Sequence, residues 1–334
     1  MENPSAVLHT AGDLRIEDRP VPSPEPGQVL VAVQAVGVCG SDVHYYEHGR
    51  IGGFVVETPM VLGHEAAGVI TGVGEGVDPA RVGQLVALEP GIPCRRCDQC
   101  RAGRYNLCPD VRFFATPPVD GAFARYVVTD ADFAFPAPDG LDATAAAMAE
   151  PVSVGVWAAR KAGVGVGSRV LVTGAGPIGL ICAQVARAFG ASSVEIADVN
   201  EQRLAVAEAL GLDVAAARPP RAAEVDVLIE CSGAVPALRA ALPRMGRAGR
   251  VVLVGMGADE APIDVGLLQS RELVVTGTFR YANTYPAALE LIATGAVDLR
   301  PLLTGEYPLA ETEAALRAAR VDPSALKAVV LPWA

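Results

Sequence analysis

Arg169-Val170-Leu171-Val172-Thr173-Gly174-Ala175-Gly176-Pro177-Ile178-Gly179 decides how the second half of this 334-residue chain folds. Five residues rich in β-branched and apolar side chains read as a buried strand. A G-x-G-x-x-G turn follows, and then an apolar run to Gly190 that reads as a helix. Val194-Glu195-Ile196-Ala197 is the next strand, and it ends at Asp198, nineteen positions after Gly179. The glycine pattern alone is weak; between a strand and a helix, with an acidic residue at that distance, it signals a dinucleotide site. Gly174 permits the tight turn and Gly176 lets a pyrophosphate approach the backbone. Gly179 lets helix and strand pack closely, and the helix N-terminus at Pro177 and Ile178 faces the phosphates.

Outward from this unit, Val225–Glu230, Arg250–Gly255 and Leu273–Thr276 read as further strands. Alternating β and α segments imply a parallel, doubly wound sheet. Only eight residues, 217–224, separate the expected third and fourth strands. Such a segment reaches at most ~26 Å, and three strand spacings need ~14 Å, so a bare loop suffices. Tyr285–Thr294 and Glu311–Arg320 read as helices and Lys327–Leu331 as a closing strand. Residues 1–155 are β-rich: Val29, Val31 and Val33 alternate, Val69–Val73 and Leu85–Leu88 lie between Gly-rich turns, and Pro20, Pro22, Pro24 and Pro26 form a stiff connector. Ala143–Ala149 reads as a helix interrupted at Pro151. The expected division is 156–279 for the nucleotide domain and a discontinuous 1–155 with 280–334 for the other.

Two groups of metal-ligand residues fall in the β-rich part. Cys94, Cys97, Cys100 and Cys108 follow C-x2-C-x2-C-x7-C in a lobe at about 90–110. Four thiolates within fifteen residues close a tetrahedral shell without an open position, which is a structural zinc site. Left unmetallated on a polar loop, they would oxidise. A nucleic-acid zinc module is disfavoured by charge. The second group is Cys39, in Gly37-Val38-Cys39-Gly40-Ser41-Asp42-Val43-His44, together with His64 and Glu65. Thiolate, imidazole and carboxylate with one open position is how a catalytic zinc is held. Asp42 reads as an acceptor for the His64 ring or as a turn residue.

The formal charge is −11, from 27 basic and 38 acidic residues. That acidity argues against nucleic acid and against anionic membranes as partners. Met1–Thr10 has neither basic flank nor apolar run, so no signal peptide is expected. The longest uncharged run, Val170–Ala186, contains Gly, Pro, Thr and Gln and reads as strand, turn and helix, not as a membrane span. Seven cysteines without a secretion signal point to reduced thiols, metal and the cytoplasm.

Gly63-His64-Glu65, Gly68, Gly74 and Val77 resemble the signature of the zinc-containing medium-chain alcohol dehydrogenase family, and the likeness runs through nearly the whole chain. It implies an α/β protein: a Rossmann domain for the nucleotide and a β-rich, GroES-like catalytic domain. Four stretches narrow it to the sorbitol (polyol) dehydrogenase branch: Gly40–Gly52, Phe113-Phe114-Ala115-Thr116-Pro117-Pro118, Glu150-Pro151-Val152-Ser153-Val154-Gly155, and Phe279-Arg280-Tyr281-Ala282-Asn283-Thr284. The resemblance implies NAD and two zinc ions per chain as cofactors, and hydride transfer from a secondary hydroxyl of a polyol to give a ketose. It implies a proton relay through Ser41 and His44, and a substrate cleft lined by Tyr46, Phe113, Glu150, Arg280 and Tyr281. The cofactor positions it implies add Arg203, Val254, Gly255, Met256, Thr278, Phe279 and Arg280 to the glycine turn and Asp198. Without the motif, Ser41 is a turn hydroxyl, His44 a solvated side chain, Tyr46 and Phe113 core residues, and Arg280 a surface ion pair.

Three choices stay open. Glu65 is the expected third ligand of the catalytic zinc, with Glu150 on the metal-bound water or as the alternate ligand. Asp198 would repel a 2′-phosphate, and Val199 and Asn200 supply no cation, so NAD is expected over NADP; Arg203 lies further along, near the adenosine. The apolar segment Leu273–Thr278, if an edge strand, suits a homo-oligomer, dimer or tetramer. The competing functions are a zinc dehydrogenase of the same family acting on threonine, a butanediol or a cyclitol, and a non-catalytic zinc-stabilised binding protein. A binding protein would be expected to have a broken catalytic metal set, and here Cys39, His64, Glu65 and Glu150 are all present.

Overall fold

The computed structural model describes residues 2–215 and 224–334. Of the short 217–224 connection, all but Glu224 lies outside the described residues. The chain divides into two compact units, one of Met1–Glu150 with Leu303–Ala334 and one of Pro151–Leu302.

The first unit is built around the strand Gln28–Gly37. Its alternating Val29, Val31 and Val33 are fully buried, as the period of two requires for an inward face. On one side it pairs antiparallel with Glu65–Val73, which continues to Leu85–Leu88 and Ala134–Pro136; on the other it pairs with Lys327–Leu331, followed by Leu303–Pro308. Tyr126–Asp130 also pairs with it. A three-stranded sheet of Asp13–Pro20, Glu2–Thr10 and Met60–Val61 completes the β structure. Pro20 ends its strand, and residues 21–25 carry no regular structure, as the proline series requires. The core joins Leu8, Leu62, Ile70, Leu88 and Phe123.

The second unit is a six-stranded, wholly parallel sheet in the order Asp213–Val214, Ser193–Ala197, Arg169–Thr173, Val225–Glu230, Met245–Leu253, Val274–Gly277. Numbered along the chain, the strands lie in the order 3-2-1-4-5-6; the direction of winding reverses between the third and the fourth, the doubly wound topology expected from the sequence. The helix Pro177–Ala188 has eight consecutive buried residues from Gly179 to Ala186, as a helix covered by the sheet must. A Cβ at Gly179 would overlap the Gly174 carbonyl oxygen, so only glycine lets this helix meet the turn.

Two expectations change. Pro151 does not interrupt a helix: the break is at Met148, and Pro151 lies in the first turn of Ala149–Ala162, where no backbone N–H is needed. Residues 280–302 group with the second unit, not the first. Gln184 holds them there, donating to Asp298 O at 3.2 Å and accepting from Asp298 N at 2.8 Å, and Arg160 donates to Asn283 O at 2.7 Å.

Candidate metal centre and dinucleotide turn

Register builds the first site. Gly37 pairs with Glu65, so Cys39, two residues past one strand, arrives beside His64, one residue before the other. A Cβ at Gly37 would overlap Glu65 Oε2, which is why this position is glycine. Cys39, His64 and Glu65 present ligand atoms that all lie within 4.8 Å of one another; Glu150 is not in that set. Cys39 caps the helix Gly40–His48, a helix the sequence motif had concealed.

Asp42, in the first turn of that helix, is fully buried. Its Oδ2 accepts from Cys39 N at 3.0 Å and its Oδ1 from Gly63 N at 2.9 Å, and Oδ1 lies 3.5 Å from His64 Nδ1. Burial opposes its charge, but the His64 charge and these amides hold its carboxyl below the usual range. In turn, burial opposes a charge on His64, while Asp42 and Cys39 push its pKa well above the ordinary value. Nδ1 faces Asp42, which leaves Nε2 for a metal.

Glu65 is fully buried. Lys327 Nζ donates to its Oε1 at 2.5 Å and to Val38 O at 2.8 Å. Glu65 Oε2, equally close to the ammonium, has no partner in hydrogen-bonding geometry. Burial disfavours the ammonium, but Glu65 and Cys39 outweigh it and raise the Lys327 pKa. A buried carboxylate oxygen without a hydrogen bond, beside a thiol and an imidazole, fits a zinc ion.

The tetrad fits one too. Four thiolates at 2.3 Å from a tetrahedral zinc stand about 3.8 Å apart; here Cys97 and Cys100 sulfurs are 3.4 Å apart and Cys94 and Cys100 sulfurs 4.0 Å. Amides of Arg96 and Cys97 lower the Cys94 thiol to about 6, while burial and the Cys97 hydrogen bond push Cys100 up to about 12.

The remaining expected residues fall unevenly. Phe113 packs against His64, with ring centroids 5.8 Å apart, held there by pairing with Gly91. Ser41 is half-buried in the first turn of its helix and His44 is exposed, edge-on to His48. Tyr46 lies in the core of the first unit, its hydroxyl donating to Glu313 at 2.6 Å. Glu150 is buried. In the second unit, Tyr281 is buried against Tyr285, and Arg280 lies over the Phe279 ring with a left-handed backbone, φ 53°.

The second unit gathers its expected residues at the carboxyl ends of its strands. Asp198 follows Ser193–Ala197; its Oδ2 accepts from Ala175 N at 2.5 Å and its Oδ1 from Asn200 N at 2.8 Å. The Arg203 guanidinium is the nearest group to where a Gly176 side chain would be, at 3.9 Å, and its Nε is buried without a partner. Val254 and Gly255 donate their amides to Glu230 O, Thr278 its amide to Leu253 O, and Met256 and Phe279 are exposed beyond them. A glycine cradle with a guanidinium and a carboxylate beside it, at the carboxyl edge of a parallel sheet, fits a dinucleotide.

Lys327 and Glu89 escaped the sequence reading. Glu89 is 2 % exposed, accepts from Tyr105 OH at 2.7 Å and keeps Oε2 without a partner. A signal existed for both: each is a lone charge at the end of an apolar strand, Leu85–Leu88 and Lys327–Leu331.

Residues 25–139 match the alcohol dehydrogenase GroES-like domain model, and 177–294 the zinc-binding dehydrogenase model. The chain is 44 % identical over 341 aligned residues to sorbitol dehydrogenase of Bacillus subtilis, covering 98 % of this chain and 97 % of that one. It superposes on L-idonate 5-dehydrogenase of Escherichia coli with a TM-score of 0.92 at 32 % identity, covering 99 % and 98 % of the two chains. A short chain alcohol dehydrogenase of Escherichia coli complexed with NADH gives 0.91 at 27 % identity, covering 99 % of each. Among the described residues no helix is long and apolar enough to cross a membrane.

Proposed function

The chain belongs to the zinc-binding alcohol dehydrogenase family, and from that premise we propose that it oxidises a secondary hydroxyl of a sorbitol- or xylitol-like polyol to a ketose, with NAD as acceptor. The observation that carries this is the Cys39–His64–Glu65 set with Asp42 behind it. A metal held there would supply Lewis-acid polarisation of the hydroxyl oxygen, and a nicotinamide at the glycine turn would supply the hydride acceptor. Cys39, His64 and Glu65 hold the zinc, and Asp42 orients the imidazole. Phe113, against His64, keeps water from the site. Glu150 receives hydrogen bonds from the neighbouring hydroxyls of the substrate, and Ser41 and His44 pass the proton towards solvent. Tyr46 in the first unit is a further substrate residue, for which its hydroxyl must leave Glu313; in the second unit Arg280 and Tyr281 keep the substrate role that the resemblance implies.

Gly174, Gly176, Pro177, Ile178 and Gly179 take the pyrophosphate, Asp198 the ribose and Arg203 the adenosine side. Cys94, Cys97, Cys100 and Cys108 hold a second, structural zinc. Four thiols gathered for a metal suit a reducing compartment, and we assign the cytoplasm. Val274–Gly277 is an edge strand, and Val274 is 48 % exposed; we infer that it pairs with a second copy.

The ligand assignment is tested by metal content. Glu65→Ala should bind only the tetrad zinc, while Glu150→Ala should keep both zincs and lose activity. The reverse pattern would make Glu150 the ligand.

A further inference from the structure

We propose that Lys327 is the internal counter-ion of Glu65: it holds that carboxylate in the metal-free site and weakens its donation to the metal once one is bound. This rests on the reading that Cys39, His64 and Glu65 hold a zinc ion.

The geometry is a clamp. Lys327 opens the strand Lys327–Leu331, which pairs antiparallel with Gln28–Gly37 at Val329 and Gly37. The side chain is 4 % exposed, which shields its ammonium from solvent. It donates to Glu65 Oε1 at 2.5 Å and to Val38 O at 2.8 Å. Val38 precedes Cys39 and Glu65 follows His64; one ammonium therefore grips both segments that carry ligands.

An unpaired carboxylate at this depth strongly destabilises a fold. With Lys327 beside it, the empty site folds with its carboxylate already placed, and the metal is not needed for that placement. Both carboxylate oxygens lie 2.5 Å from the ammonium, with Oε1 alone in hydrogen-bonding geometry, so a metal on Oε2 would share the carboxylate with Lys327. A carboxylate whose charge is shared with a neighbouring cation is a weaker donor, as partners behind a ligand generally tune it. The bound metal then keeps more of its positive charge for a substrate oxygen. Removing the ammonium should act in opposite directions on the two forms: the metal-free protein loses stability, and the loaded protein holds its zinc longer.

The experiment uses the full chain, purified with metal, as wild type, Lys327→Met, Lys327→Arg and the double variant Glu65→Gln/Lys327→Met. Zinc is counted, its release to excess chelator is timed, and the metal-free proteins are melted. We expect two zincs in the wild type. One should leave Lys327→Met about tenfold more slowly than it leaves the wild type, and Lys327→Arg should restore the wild-type rate. The tetrad zinc, untouched by the change, is the internal control. Metal-free Lys327→Met should melt lower than metal-free wild type, or not fold, and the double variant should recover. Cobalt(II) in the released site should show an altered visible spectrum in Lys327→Met alone. Equal or faster zinc release from Lys327→Met would overturn the proposal, as would a double variant no more stable than the single one. A wild type carrying only the tetrad zinc would instead refute the metal reading beneath it.

Discussion

Asp42 Oδ1 lies 3.5 Å from His64 Nδ1, and the same carboxylate accepts the amides of Cys39 and Gly63. One buried side chain therefore fixes the imidazole of one ligand and the backbone around two. Asp42→Asn keeps the shape but removes the charge that orients the ring. It should weaken zinc at this site about 10- to 100-fold and leave the tetrad zinc in place. Titration with a competing chelator, counting both sites, measures this; an unchanged affinity would show that the His64 ring is held by packing alone.

We propose that Asp198 sets cofactor preference by charge. Its carboxylate accepts from Ala175 N and would repel a 2′-phosphate, so NADP should be a poor acceptor. Asp198→Ala should lower kcat/KM with NAD by about ten- to a hundredfold, the worth of a hydrogen bond to a charged group, and narrow the gap to NADP. Steady-state rates with both dinucleotides check it. A wild type that prefers NADP would mean that Arg203 outweighs Asp198.

Glu89 gives a pH dependence with a definite sign. Burial raises its pKa from 4.5 to about 7, opposed by the Tyr105 hydroxyl and assisted by the Glu150 charge. Between those values the folded chain binds the proton and the unfolded chain does not. The contribution to stability is complete below the unfolded value and is lost as pH rises through about 7, amounting to roughly 3 kcal/mol. Glu89→Gln removes this titration. Urea unfolding of the metal-loaded wild type and Glu89→Gln at pH 5.5 and pH 8 should show the wild type losing more stability at the higher pH. Parallel losses would assign Glu89 an ordinary pKa.

The motifs were legible because their chemistry is local. Cys94 to Cys108, Gly174 to Gly179 and His64-Glu65 each fall within one short stretch: spacing carries the first, the flanking strand and helix the second, and the family signature around Gly63, Gly68, Gly74 and Val77 the third. What stayed hidden depends on long-range register. Lys327 meets Val38 across 289 positions, and nothing near Lys327 in sequence announces a partner. Asp42 reaches Gly63 only because Gly37 pairs with Glu65. The helix Gly40–His48 was obscured because its apolar face is narrow; Tyr45 and Tyr46 are buried while His44 and His48 point to solvent. The fate of residues 280–302 was set by Gln184, a polar residue inside an apolar helix whose partner is the backbone of Asp298.

Substrate discrimination tests the account most directly. A site that offers hydrogen-bonding groups to several hydroxyls rejects an analogue lacking them, by roughly four to five orders of magnitude at best. The measurement is kcat/KM with NAD for sorbitol, xylitol and propan-2-ol, followed through formation of the reduced cofactor on protein loaded with two zincs. Sorbitol or xylitol should exceed propan-2-ol by at least about a hundredfold; propan-2-ol turning over as well as every polyol would contradict a polyol site.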